Sequence, residues 1–183
     1  MSIDEIIAAN LQRLRRQQGL SLDALATQAG VSKAMISKIE RQESSPSATV
    51  LGRLAAGLGV SLTDLLLEQR QPQPLRRLAD QLCWQDPELH YLRRQITERD
   101  ALTGFEMVEI VLPVDCRVEY PRWSHHAYRQ RLWLISGELA IEYGELRYLL
   151  AAGDCLDFDV DQPLALSQRG EQPCRYLLVM TSK

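Results

Sequence analysis

Apolar residues in the first third of the chain recur at helical spacing. In "IIAANLQRLRRQQG", Ile7, Leu11 and Leu14 share one face, and Gly19 ends the run as a residue that readily closes a helix. "SLDALATQAG" opens at Ser21, a candidate N-cap, and closes at Gly30. A third helix is predicted from Ser32 to about Arg41 in "SKAMISKIER". "ESSPS" then interrupts the pattern, Ser47 is placed to cap "ATVLGRLAAGLG", and Ser61 to cap "LTDLLLE". The pattern predicts five short amphipathic helices.

Beyond them the period changes. Residues 69–74, "QRQPQP", are polar and proline-containing and suit a semi-rigid linker, followed by a short helical stretch near Leu75 to Leu82. Then come "HYLRRQIT", "FEMVEIVL", "RLWLIS", "ELAIEYG", "LRYLLAAG", "DCLDFD", "PLALSQ" and "CRYLLVM", short runs rich in leucine, β-branched or aromatic residues and punctuated by Gly, Pro and Asp. Such spacing predicts a small all-β barrel or sandwich. The expected organisation is a helical domain over residues 1–68, a linker with a short helix over 69–82, and a β domain over 83–183.

The chain length of 183 residues accommodates two such units. No apolar run approaches the roughly 20 residues that span a bilayer. "MSIDEIIAAN" carries acids where a secretory signal would be basic and apolar, so a cytoplasmic protein without membrane contact is expected. Cys83, Cys116, Cys155 and Cys174 form no CxxC pair, and each reads as a small buried hydrophobe. The net charge of −3 argues against a uniformly basic surface. Up to Glu68, seven Lys and Arg balance seven acids, so any affinity for DNA must come from local placement of the bases.

That placement is present. "LDALATQAGVSKAMISKIE" joins two short helices through a glycine-containing turn, the helix-turn-helix pattern. Val31, Met35, Ile36 and Ile39 share the core side of the third helix. The opposite side presents Lys33, Ala34, Ser37 and Arg41, with Lys38 on the flank: short or basic side chains that can enter a major groove. Ser32 lies at the helix start, where free backbone N–H groups favour a phosphate.

"VSKAMISKIERQESSPSATVLGRLAAGLGVSLTDLL" resembles the xenobiotic-response-element (XRE) family of phage-repressor-like regulators over about residues 6–68. The resemblance implies a five-helix lambda-repressor-like domain. It places Lys33, Ala34 and Lys38 facing bases, and Ser32, Ser37, Arg41 and Ser44 near phosphates. Ala34 offers only a methyl, so base hydrogen bonding would rest on the lysines. Regulators of this kind pair to reach half-sites roughly 34 Å apart, which implies a homodimer on a double-stranded operator, with the β half as the dimerising element.

"LISGELAIEYGELRYLLAAGDCLDFDVDQP" resembles the cupin family, a double-stranded β-helix or jelly-roll barrel, in its turns at Gly137, Gly144, Gly153–Asp154 and Pro163. The whole chain thus resembles bacterial regulators that join this head to a cupin sensor. Metal-binding cupins take three ligands from a His-x-His-x(3 or 4)-Glu segment and a fourth histidine after the late proline. Here those positions fall on Ser124 and His126, or Trp123 and His125, then Gln130 and Leu164. One ligand of four survives, too few donors for a divalent transition metal. Neither metal nor cofactor is expected, and no catalytic set replaces the metal.

The remaining candidate pocket is Tyr120, Arg122, Trp123, His125, His126, Gln130 and Arg131. Alternation in "RQRLWLIS" sends Gln130, Leu132 and Leu134 to one face and Arg131, Trp133 and Ile135 to the other. The expected function is a non-enzymatic regulator, by default a repressor, whose cupin senses an amino acid, peptide or amine. The alternatives are a cupin enzyme, metal-dependent or not, fused to a DNA-binding head, and an antitoxin-like repressor that blocks a partner protein.

Overall fold

A computed structural model describes residues 2–66, 74–100, 102–123 and 128–182. Five helices come first: α1 (Ile3–Gln17), α2 (Leu22–Ala29), α3 (Lys33–Glu40), α4 (Ala48–Leu58) and α5 (Leu62–Leu66). Their starts follow from local side chains. Ser2 and Glu5 form a reciprocal capping box on α1, Ser21 Oγ accepts from Ala24 N–H, and Ser32 Oγ from Met35 N–H. Ser61 and Asp64 exchange hydrogen bonds in the same way at α5. Gly30 ends α2 with φ +62°, which positions the turn into α3.

Ser47 departs from expectation. It occupies the N-cap position of α4, yet its side chain makes no capping bond. The N–H of Ala48 donates instead to Asp86 Oδ2, on a turn of the β half. Asp86 Oδ1 meanwhile accepts from the N–H groups of Glu88 and Leu89. One fully buried carboxylate therefore closes its own turn and the start of a helix 38 residues earlier.

The β half contains, among the described residues, β1 (Cys83–Gln85), β2 (Leu92–Gln95), β3 (Glu106–Leu112), β4 (Arg117–Tyr120), β5 (Tyr128–Ser136), β6 (Glu138–Tyr143), β7 (Leu146–Ala151), β8 (Cys155–Phe158), β9 (Leu164–Arg169) and β10 (Cys174–Ser182). They form two antiparallel sheets, ordered β1-β2-β3-β10-β5-β8 and β4-β9-β6-β7, the jelly-roll architecture of a cupin. Gly137 makes the tight turn from β5 to β6 with φ +81°, and a Cβ there would meet Cys174 at 2.8 Å. β1 and β4 are too short for a period to register in the sequence. The expected helix near Leu75 to Leu82 is only a 3-10 turn, Leu78–Asp80, because its exposed leucines have no surface to pack on. Cys116 and Cys174 are buried as expected; Cys83 and Cys155 are exposed, since alternation on the edge strands β1 and β8 turns them outward.

The two halves share one continuous apolar core running from Ile7 and Leu54 to Leu132 and Met180. The α4 helix lies on β4 so closely that a Cβ on Gly52 would stand 2.5 Å from the Tyr120 ring. The indole N–H of Trp123 donates to the carbonyl of Val60 at 3.0 Å, and Arg93 Nη2 donates to Thr63 Oγ1 at 2.8 Å.

Two stability predictions follow from this seam. Asp86→Ala leaves buried N–H groups without an acceptor, and chemical denaturation should show a loss of roughly 2–4 kcal/mol. Gly52→Ala should cost about 1–3 kcal/mol through overpacking on Tyr120. Gly52→Ala combined with Tyr120→Leu should recover part of that loss in the same assay.

Candidate functional site

The first candidate surface is the outer side of α3. Lys33, Ala34 and Lys38 are exposed, as is Ser32, whose hydroxyl is already engaged as the cap. Ser37 is half-buried. Arg41 is exposed and pairs with Glu43 at 3.0 Å, while Lys33 pairs with Asp23 at 2.8 Å. Both pairs are solvent-exposed, hence weak, and open readily to a phosphate or base edge. Ser44 is half-buried and turns its hydroxyl toward Met35 Sδ at 3.9 Å.

One acid on α3 could have repelled DNA. Glu40 is instead locked by Arg15, whose Nε and Nη2 donate to its two carboxylate oxygens at 2.7 and 2.8 Å, both side chains being largely buried. This bidentate pair withdraws the negative charge from the outer face and ties α3 to α1. The sequence reading did not assign Arg15 this task.

The second candidate is the barrel interior. A cavity of about 50 Å³ is lined by Tyr120, Trp123, Gln130, Leu164, Phe158 and Arg93 among others, and Leu62 of α5 closes one side. Three expected pocket residues, Tyr120, Trp123 and Gln130, therefore come together. His125 and His126 lie outside the described residues. Arg131 does not belong to the cavity. Alternation on β5 points Gln130 inward and Arg131 outward, where its Nη2 donates to Asp157 Oδ2 at 2.8 Å across the β5–β8 pair. Arg122 is exposed and does not line the cavity either. Trp133, on the same outward face as Arg131, is 48% exposed.

The described part of the cavity lining offers no ligand set for a divalent metal. Of the cupin ligand positions that are described, Trp123 supplies an indole, Gln130 a neutral amide and Leu164 a hydrocarbon, and the ionisable side chains beside them are Arg93 and three tyrosines, Tyr120, Tyr128 and Tyr176. Burial pushes the Cys116 and Cys174 thiols up to about 11, which disfavours the thiolate form of these two.

Sequence reasoning missed Arg93, Tyr128 and Tyr176 in the cavity wall. For Tyr128 the signal was available: the alternation that selected Gln130 extends two residues back to it. For Arg93 it was ambiguous, because "LRR" offers two adjacent arginines and periodicity alone does not say which faces inward.

Comparison with known proteins agrees with this geometry. A helix-turn-helix family model, HTH_3, matches residues 11–65. The HTH-type transcriptional regulator SutR of Escherichia coli (strain K12) is 38% identical over 73 residues, which cover 40% of this chain and 41% of SutR. The chain thus spans about two fifths of SutR's length. The uncharacterized HTH-type transcriptional regulator y4dJ of Sinorhizobium fredii (strain NBRC 101917 / NGR234) is 33% identical over 66 residues, 36% of this chain and 86% of that protein. A crystal structure of an HTH_3 family transcriptional regulator from Vibrio cholerae superposes with TM-score 0.80 at 26% identity, over 98% of this chain and 96% of that one. With α2, the Gly30 turn and α3 inside the matched segment and y4dJ matched over most of its length, the chain belongs to the HTH_3, or XRE-type, family of helix-turn-helix transcriptional regulators.

Proposed function

We propose that this chain is a ligand-responsive, homodimeric repressor rather than an enzyme: α3 reads an operator, and the barrel interior senses a small molecule. The observation that carries the sensing reading is that the cavity wall is made partly of the DNA-binding head. Leu62 of α5 lines the cavity, and two other lining residues, Trp123 and Arg93, hydrogen-bond to Val60 and Thr63 of that head. A molecule that moves this wall has different contact energy with two arrangements of head and barrel, which is the requirement for allostery.

A DNA role for Lys33, Ala34 and Lys38 is supported by their exposure on a capped helix whose acid is neutralised from behind. Ser32 and Arg41 border that face, with Ser37 half-buried beside them, as phosphate-contacting positions. Pairing of two chains is supported by β7, an edge strand on which Leu146, Tyr148 and Leu149 are all exposed, Leu149 to 71%. An open edge with this much apolar surface is a liability unless covered. A second copy of the chain covers it and supplies the second recognition helix that a two-half-site operator requires.

Selection of duplexes from a random pool, followed by anisotropy, tests the DNA reading. The chain should bind an enriched sequence on the order of a thousandfold more tightly than its scrambled version. Failure to enrich any sequence would sink it. On that site, Lys38→Ala should weaken binding by roughly 1–3 kcal/mol if it contacts a base edge, with relaxed preference at one position. Leu149→Asp should convert a dimer to a monomer by sedimentation and lower operator affinity, while leaving the melting of the monomer near the wild-type value.

A further inference from the structure

Arg93 brings a positive charge into the barrel and forms no ion pair among the described residues. It is 5% exposed, lies on β2, and forms part of the cavity wall. Its Nη2 donates to Thr63 Oγ1 at 2.8 Å, while its Nε has no hydrogen-bond partner among the described residues. Thr63 Oγ1 passes its own hydrogen to Gln95 Oε1 at 3.3 Å, and Gln95 Nε2 donates to Glu106 Oε2 at 3.0 Å. Glu106 offsets the charge of Arg93 through space and is linked to it by hydrogen bonds through Thr63 and Gln95, without an ion pair between the two. Burial pushes the Glu106 carboxyl above its usual range, although Arg93 and the hydrogen bonds from Thr63 and Gln95 pull it back. A buried guanidinium with an idle donor is costly unless something completes its hydrogen bonding.

Building on the sensing reading above, we propose that the cavity takes the carboxylate of a short aliphatic monocarboxylic acid on Arg93. Capture of the guanidinium in turn draws it away from Thr63. Three features select this chemistry. The planar guanidinium presents parallel N–H donors that match a carboxylate in bidentate fashion. The described lining contains neither Asp nor Glu, so an ammonium group would be buried without a partner; this sets aside amines and disfavours amino acids. The rest of the wall includes Ile110, Leu166, Leu178 and Met180, which suit a hydrocarbon tail and leave a second carboxylate unpaired. About 50 Å³ has space for roughly three or four waters by the same measure, so an acid of about propionate size fits without opening the barrel.

The regulatory consequence is local. Thr63 belongs to α5, a helix of five residues, too short to hold itself together without its contacts to the barrel. An anion that takes over the Arg93 donors loosens the head at this point.

The full chain titrated with sodium propionate tests the assignment, with sodium chloride as the ionic-strength control and propionamide and propylamine hydrochloride as neutral and cationic counterparts. Tryptophan fluorescence and melting temperature should show saturable binding for propionate and not for the others. Hydrogen exchange of the α5 amides should speed up in the same titration. Arg93→Gln should weaken propionate binding about tenfold or more. Arg93→Lys, which keeps the charge for the event that the glutamine variant fails to fold, should retain part of the affinity. Thr63→Val should bind propionate at least as tightly as wild type, because the competing acceptor is gone, but without the change in α5 exchange. Equal binding of propionamide or propylamine, or undiminished propionate binding in folded Arg93→Gln, overturns the anion assignment and leaves the sensing reading standing. If neither propionate nor other acids of two to five carbons bind, the assignment also falls. If a broad metabolite panel then fails to shift the melting temperature, the sensing reading falls with it.

Discussion

An apolar core continues from the helical bundle into the barrel, so a buried polar group at the seam is costly unless it finds a partner, and several find it on the opposite side. The rest of the arrangement depends on this constraint. The first N–H of α4 reaches Asp86, the indole of Trp123 reaches Val60, and the guanidinium of Arg93 reaches Thr63. Each bond contributes modestly to net stability, but breaking one strands a buried donor at several times that cost. Head and barrel are therefore coupled by the penalty for separating them more than by the attraction between them.

The same constraint bears on the proposed response to a ligand. A seam made only of hydrocarbon would slide or hold in proportion to area. Polar contacts with fixed partners are either made or unmade, and under the proposed sensing a small change in the cavity wall would select between the two. Tyr120 packs under Gly52 on one side and lines the cavity on the other, so aromatic packing joins the polar contacts at the same wall.

Much of the molecule was legible in the sequence because it is written in local patterns. Helical spacing, serine caps and glycine stops predicted all five helices, α1 to α5, and alternation with glycine punctuation predicted eight of the strands. Where reading failed, the deciding partner was distant along the chain. Ser47 looks like the cap of α4, and nothing near it indicates that Asp86 does the capping. Arg131 shares a short motif with Gln130, yet one step along a strand reverses its face, and the interior arginine is Arg93, on a different strand. Local pattern also predicted a helix near residue 78 that the chain reduces to a single turn for want of a packing surface.

The dependence of α4 on Asp86 also bears on synthesis. As the polypeptide leaves the ribosome, the whole helix-turn-helix segment emerges before the residue that finishes its fourth helix, and α5 waits longer still for Arg93 and Gln95. Until the first strands of the barrel are made, the nascent head lacks these hydrogen-bond partners. The contacts that finish the helical head are therefore supplied late, by the first strands of the barrel.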